Sequence, residues 1–494
     1  FLIGLIGLGV AIDYSLLVIV RWREELASGR DNAGAVQRAM ETAGTAVIHS
    51  GTTVAIGLLA LIALPVPFLR SVGYAGALIP LVSVIAAFTL LPVVLATVGP
   101  ALDWPHRRRD NHRSRPWSAW ARLIIRRRWV AAAAALVVLG ALLIPVLSLN
   151  LNDSSPDAMA KSGDAHDGLQ QLEQSGIGAG VLSPTQVLVP ANNADALTAR
   201  LAQLSGVRAA IAPTDPSWRR GSTAIVTVLP SADANSAAGQ STLDHVKQAA
   251  HAPSIQGRVS GPTAAAADFV TAVYGNFPLM LALIAIITFL LLARAFRSIL
   301  LPLKAVVLNL ISVGAAFGVM VLIWQHGYGS RLIWGITATG SITAWVPLMV
   351  FAFLFGLSMD YEVFILARMR EQYDETGSTD QAIIEGIGRT GRLVTSAALI
   401  LFLAFVSMAS APVTDVKILA TGLGAGILLD ATIVRALLVP ALVSLLGHWN
   451  WWLPSLPARL LRVAPSLPAP EPYIHDLDRE GLSPASSQPS AVSH

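Results

Sequence analysis

Two aspartate–tyrosine pairs, Asp13–Tyr14 and Asp360–Tyr361, have the residue types and the setting to do chemistry. They lie in apolar stretches, LGVAIDYSLLVIVRWREEL (8–26) and FGLSMDYEVFILARMREQY (355–373). A shift of 347 positions lays Asp13 on Asp360, Tyr14 on Tyr361, Arg21 on Arg368, Arg23 on Arg370 and Glu24 on Glu371. Each Asp precedes the first arginine by eight residues, about 12 Å of helical rise. If the arginines mark a bilayer surface, both carboxyls lie near the middle of its roughly 30 Å core. An Asp facing lipid there costs about 2.5–3.5 kcal/mol. Carrying that cost in both stretches argues for use. Two acids in so poor a solvent titrate as a coupled pair and can trade a proton near neutral pH. A tyrosine hydroxyl both donates and accepts a hydrogen bond. Adjacent helical residues point about 100° apart, so each Tyr reaches more naturally for the Asp of the other stretch than for its own neighbour. The plain alternative is that neutral acids tie two helices together and the tyrosines only pack.

No other chemistry competes for the energy source. The 494 residues contain no cysteine, which excludes disulfides, thiolate catalysis and Cys-ligated metals. There is no Gly-x4-Gly-Lys-[Ser/Thr] phosphate loop and no metal-ligand spacing, so neither cofactor nor metal is expected. A proton falling through 100 mV releases about 2.3 kcal/mol, enough to drive conformational cycling. Composition agrees with a membrane setting. Charged residues make up 13% against about 25% in soluble proteins, hydrophobic residues 54%, and mean hydropathy is +0.61. That excludes a disordered or nucleic-acid-binding chain and weighs against a soluble enzyme.

Spans of about 20 apolar residues fall at 1–20, 46–64, 71–98, 129–149, 276–293, 299–324, 344–367, 393–410 and 418–446. Alternation places 24 of the 34 basic residues on one side, including nine arginines at 107–128, Arg294, Arg297 and Lys304. By the positive-inside rule that side is the cytoplasm, and it also receives the C-terminal tail. Residues 150–275 then form an extracytoplasmic α+β domain. In it, β-rich runs (Thr185–Val189, Thr223–Leu229) alternate with helical ones (Ala194–Leu204, Ser241–Ala250), as split β-α-β units require. Residues 101–128 form a basic linker beside anionic headgroups. Trp449, Trp451 and Trp452 read as an interfacial aromatic belt within 448–494, and from Leu453 the Pro/Ser/Ala-rich tail reads as disordered.

The repeat extends beyond the paired motifs. The same shift carries Ala35 onto Ala382, Gly44 onto Gly391 and Pro65 onto Pro412, and a one-residue offset pairs Leu90-Leu91-Pro92 with Leu438-Val439-Pro440. Duplicated membrane units are a transporter signature. Residues 129–149 and the five spans within 276–447 make one six-helix unit around the α+β domain. Residues 1–100 supply the last three helices of another. The chain begins Phe-Leu-Ile-Gly inside an apolar run. The expectation is a C-terminal portion of a longer protein, short of three helices and one external domain.

The Gly-rich helix ending in Ile-Asp-Tyr before Arg-x-Arg-Glu-Glu resembles the MmpL family of the RND (resistance–nodulation–division) superfamily. So do GLSMDYEVFILARMRE, LLDATIVRALLVPAL (428–442) and GPTAAAADF (261–269). The resemblance implies an RND-type helical bundle. In it Asp13–Tyr14 and Asp360–Tyr361 meet across a pseudo-two-fold axis as a proton relay, with Gly4, Gly7, Gly9 and Gly356 allowing close approach. It also implies a secondary transporter, not an enzyme, in a bacterial plasma membrane, exporting lipids, glycolipids or hydrophobic drugs; self-association is left open. Two other functions stay open: a proton-driven secretion motor of the SecDF type, and a sterol-sensing or receptor-like relative without flux.

Other polar residues carry lesser expectations. Asp430 and Arg435 read as a structural ion pair, and Glu362 as facing a neighbouring helix or polar cavity without a role. His49, Ser50 and Thr52 could extend a water path, though packing is the simpler reading, and Asp415 and Lys417 are expected to be solvated.

Overall fold

The computed structural model describes residues 2–102, 114–153 and 163–466. Residues 103–113 of the 101–128 linker and the tail from 467 lie outside the described residues.

The chain opens with α1 (Leu2–Ala27). Next, α2 (Asn32–Ala39) is capped by the Asp31 carboxylate, which accepts from the Gly34 N–H. A π turn (Met40–Gly44) carries it into α3 (Thr45–Leu59). Then come α4 (Pro67–Thr97), the amphipathic α5 (Arg115–Arg126) and α6 (Arg128–Leu143). The sheet-bearing domain contains α7 (Asp164–Gln174), β1 (Thr185–Pro190), α8 (Ala194–Ala202), β2 (Val207–Ile211), β3 (Arg219–Arg220), β4 (Thr223–Pro230), α9 (Ala237–Ala250) and β5 (Arg258–Ser260). The chain returns through α10 (Pro262–Phe296), α11 (Leu300–Met320), α12 (Trp345–Thr376), α13 (Thr379–Met408) and α14 (Thr414–Leu429). A nine-residue π segment (Asp430–Leu438) then leads into α15 (Val439–Leu446).

Among the described residues seven stretches are long and apolar enough to cross a bilayer, from Pro67–Thr97 to Thr414–Trp451, so this is a multi-pass membrane protein. The two remaining expected spans coincide with α1 and with α3, whose apolar run Gly51–Ala63 is shorter than a full crossing. The expected boundary at 275/276 is displaced. Gly261, at φ +113°, and Pro262 start α10 fourteen residues early, because Gly supplies the turn and Pro suits the first helical position. At 1.5 Å per residue its 35 residues reach about 52 Å, well beyond a roughly 30 Å core, so α10 extends toward the sheet.

The sheet has strand order β2-β4-β1-β5, with β3 beside β4, and every pairing is antiparallel. Thus β1 and β2 run parallel around β4, while β4 and β5 run parallel around β1. These are two interleaved split β-α-β units. Val187, Val189, Val226 and Val228 alternate onto one face and pack against Leu197, Leu201 and Val246 of the crossover helices.

The bundle carries the repeat into three dimensions. α4 packs on α1 and α3, and α14 packs on α12 and α13; across the two halves α3 packs on α12 and α1 on α13. The α3–α12 seam depends on absent side chains, since a Cβ on Gly356 would sit 3.2 Å from the Val54 Cα. α12 is central: 88% of its apolar window is buried, against 22% for α4 and α6. Equivalent ion pairs recur 347 residues apart, with Arg21 2.8 Å from Glu24 and Arg368 2.8 Å from Glu371. Gly44 and Gly391, also equivalent, both receive an aromatic ring. A Cβ would meet Phe88 at 3.0 Å in the first case and Trp117 of α5 at 2.5 Å in the second.

The C-terminal aromatic segment departs from the sequence expectation. Trp451 is fully buried rather than interfacial: it stacks on Tyr373 at 4.4 Å and donates to the Thr379 hydroxyl at 3.1 Å. Trp449 is half exposed. Order continues past Leu453 through a short helix (Ser455–Leu460), and Leu453 and Ser466 bridge their backbones. The reason is Arg370, a buried cation that needs several acceptors. It donates to the carbonyls of Phe296 (3.3 Å) and Trp451 (3.4 Å), to the Ser466 hydroxyl (2.9 Å), and pairs with Asp374 (3.0 Å).

Gly391→Val is expected to lower stability by about 1–3 kcal/mol through overpacking against Trp117. Thermal unfolding of the purified protein measures this, and adding Trp117→Ala should recover part of the loss by opening the notch.

Candidate functional site

Of the four residues singled out in the sequence, the side chains of Asp13 and Asp360 lie outside the described residues; their backbones are helical in α1 and α12. Both tyrosines are buried. Tyr14 faces α3, where a Cβ on Gly51 would lie 3.6 Å from its hydroxyl oxygen. Tyr361 faces the π segment: the Arg435 guanidinium lies 4.7 Å over its ring.

That arginine belongs to a buried polar cluster on the Asp360–Tyr361 helix. Its Nη2 donates to the Asp430 carboxylate, to the Ser358 carbonyl at 2.6 Å and to the Ser358 hydroxyl at 3.2 Å. The Ser358 hydroxyl donates in turn to Asp430 Oδ2 at 2.8 Å. Local backbone geometry makes this possible. In an α-helix, residues five apart point about 140° apart, whereas the i→i+5 bonding of a π turn brings them onto one face. Asp430 and Arg435 are five apart and lie within the π segment. Trp120 of α5 braces the segment by donating to the Ala436 carbonyl at 2.8 Å.

Two more charges complete the cluster. Glu362 is 2% exposed and Lys304, from α11, 7%. Glu362 is in electrostatic range of Lys304, Asp430 and Arg435. Among the described residues, two cations and two carboxylates from three elements therefore share one buried region. Asn309 adds an amide that donates to the Phe355 carbonyl at 3.1 Å. Asn309, Ser312, Ser358, Tyr361, Asp430 and Arg435 line a cavity between α11, α12 and the π segment. Among the described residues no group of three or more His, Asp or Glu side chains could hold a metal. Serine, tyrosine and carboxylate oxygens flanked by fixed cations are instead suited to passing a proton along hydrogen bonds.

The ion pair Asp430–Arg435 was legible in the sequence, but its bonds to Ser358 and its seat over Tyr361 were not. Lys304, counted there as a loop cation, is buried. The signal was present: Lys304, Asn309 and Ser312 are polar residues inside an apolar span, and Glu362 is an acid in another. Asp415 is half-buried rather than solvated and accepts from the Thr343 hydroxyl at 2.8 Å. Lys417 is also partly buried and donates to the Pro412 carbonyl at 3.3 Å. Thr52 is exposed and bonds its own helix, and the side chains of His49 and Ser50 lie outside the described residues.

The sequence profile of the MMPL family matches residues 1–143 and 219–464. The chain belongs to the MMPL family. It is 35% identical over 474 residues to the mycolic acid-containing lipids exporter MmpL11 of Mycolicibacterium smegmatis, covering 92% of this chain and 49% of that protein. It is 36% identical over 481 residues to the heme uptake protein MmpL11 of Mycobacterium tuberculosis, covering 93% of this chain and 49% of that one. This MMPL chain thus spans about half the length of these curated relatives. In fold it is similar to SecDF, a translocon-associated membrane protein of Thermus thermophilus. The TM-score is 0.51 at 15% identity, covering 89% of this chain and 54% of that one. At that identity the likeness concerns the fold alone.

Removing one member of a buried ion pair strands the other, at about 3–5 kcal/mol. Arg435→Met is expected to lower stability by that amount, measured by thermal unfolding in detergent. Asp430→Leu combined with Arg435→Met should recover most of it.

Proposed function

We propose that this chain is part of a proton-driven exporter that moves lipids, glycolipids or other hydrophobic molecules across a bacterial plasma membrane. The observation that carries this reading is the buried cluster of cations and carboxylates on the central helix α12, beside Tyr361. Charge in a membrane interior is costly and marks ion, proton or ligand paths, while a buried pair is weak evidence of a stabilising role. The name of the M. smegmatis relative, an exporter of mycolic acid-containing lipids, supports the substrate class.

In this reading Asp13–Tyr14 and Asp360–Tyr361 form the relay across the pseudo-two-fold axis. The reciprocal packing of α3 on α12 and α1 on α13 supports such an axis. The sheet-bearing domain lies outside the cell, the basic end and the tail inside. Protonation from outside shifts one half of the bundle against the other. The external domain then passes an amphiphile outward, and loss of the proton to the cytoplasm resets the pair.

The test uses the protein expressed from its complete coding sequence and reconstituted in liposomes. An NBD-labelled phosphatidylethanolamine serves as probe under an imposed pH gradient. Asp13→Asn and Asp360→Asn should each slow gradient-dependent probe movement at least about tenfold, or about 1.4 kcal/mol of barrier. Thermal stability should persist. Wild-type rates in both variants would end the relay reading. The heme-uptake name of the M. tuberculosis relative supplies a second probe: gradient-dependent movement of heme and not of lipid would replace the substrate class.

A further inference from the structure

We propose that Lys304 and Glu362 form the station through which the relay releases its proton toward the basic end of the bundle. This rests on the relay reading above and adds two residues to it.

Placement comes first. α11 starts at Leu300, so Lys304 lies four residues, about 6 Å, inside that end. On α12, Asp360 stands eight residues before Arg368 and Glu362 six, heights of about 12 and 9 Å. The Lys304–Glu362 pair therefore occupies the levels between the Asp360–Tyr361 motif and the basic end. Nothing on the opposite side of the motif along α12 is charged, because residues 345–359 carry no ionisable side chain.

Bonding comes second. Glu362 Oε1 and Lys304 Nζ are buried, and neither makes a hydrogen bond among the described residues. Asn309 Oδ1 and Arg435 Nε, in the same neighbourhood, share that condition. Buried polar atoms nearly always have a partner, and atoms left without one in a polar cavity are where internal water binds. Asn309 and Arg435 line the cavity that also reaches Tyr361. This cavity has room for about one water molecule, so a single bound water would bridge the tyrosine to the edge of this cluster. A pair kept only for rigidity would close its bonds directly, as Asp430, Arg435 and Ser358 do.

The charges that face Glu362 are Lys304 from α11 and Asp430 and Arg435 from the π segment, with Tyr361 beside it on α12. A proton arriving from the Tyr361 side forms an O–H bond on the Glu362 carboxylate while its bond to the donor oxygen breaks. Lys304 keeps its ammonium throughout. Once Glu362 is neutral, that uncompensated positive charge repels the proton onward. The O–H bond breaks, the proton leaves to water at the basic end, and the pair returns to balance.

Replacing both members of a buried ion pair by apolar side chains of similar volume is neutral or stabilising when the pair is structural. Lys304→Met/Glu362→Met therefore separates the two roles. Potential-driven proton uptake into pyranine-loaded proteoliposomes is read beside thermal unfolding, with Asp360→Asn in parallel. The expected result is wild-type stability in the double variant with uptake at least about tenfold slower. Wild-type uptake in the double variant with loss in Asp360→Asn overturns this proposal and leaves the relay standing. Wild-type uptake in Asp360→Asn removes the relay and this proposal with it. The unaltered protein gives a second readout, independent of variant folding. Dicyclohexylcarbodiimide adds to protonated carboxyls in apolar sites, so peptide mass spectrometry should find its adduct on Glu362, increasing as pH falls. No adduct on Glu362 from pH 5 to 9 overturns the proposal.

Discussion

A charge taken out of water must find compensation within a few ångströms, and in a slab of lipid it can find it only from the protein itself. This constraint organises the structure. It gathers Lys304, Glu362, Asp430 and Arg435 into one region. It draws the Ser358 hydroxyl and carbonyl onto the Arg435–Asp430 pair, and at the basic end it folds the chain back so that Arg370 meets two carbonyls and a serine. The same demand acts on the backbone, whose polar groups must close within each helix. The helices therefore supply the scaffold, and the buried charges decide where they are joined.

The two halves of the bundle are equivalent in their seams and unequal in their charges. Equivalent glycines admit an aromatic ring at Gly44 and Gly391, and equivalent salt bridges form at Arg21–Glu24 and Arg368–Glu371. Yet Glu362 has Ser15 as its counterpart in the first stretch, and Ser15 merely bonds back to the Ala11 carbonyl. The acid at Glu362 thus belongs to the second stretch and not to the first.

Features set by composition and local pattern were legible in the sequence: most spans, the repeat and the split β-α-β domain. Hydropathy and period reveal these without knowledge of neighbours. Features that depend on which helix faces which were not. Lys304 looked like a loop charge because its partner lies 58 positions away on another helix. Trp451 looked interfacial because its ring has the usual belt composition, and only the stack on Tyr373 places it inside. The extent of ordered tail was misjudged for the same reason, since Arg370, a remote side chain, holds Ser466.

The π segment Asp430–Leu438 also sets a rotational phase. A wider turn takes up residues that an α-helix would have spent on rotation, and each such residue shifts everything beyond it by about 100°. Were the segment to tighten to ordinary pitch, Arg435 would swing off Asp430. α15, which packs against α5 and α6, would have to roll with it. The Asp430–Arg435 bond is in this sense a detent on a rotary joint. Its hold on the angle of the last spanning helix ties the ionic state of the bundle interior to the shape of its surface.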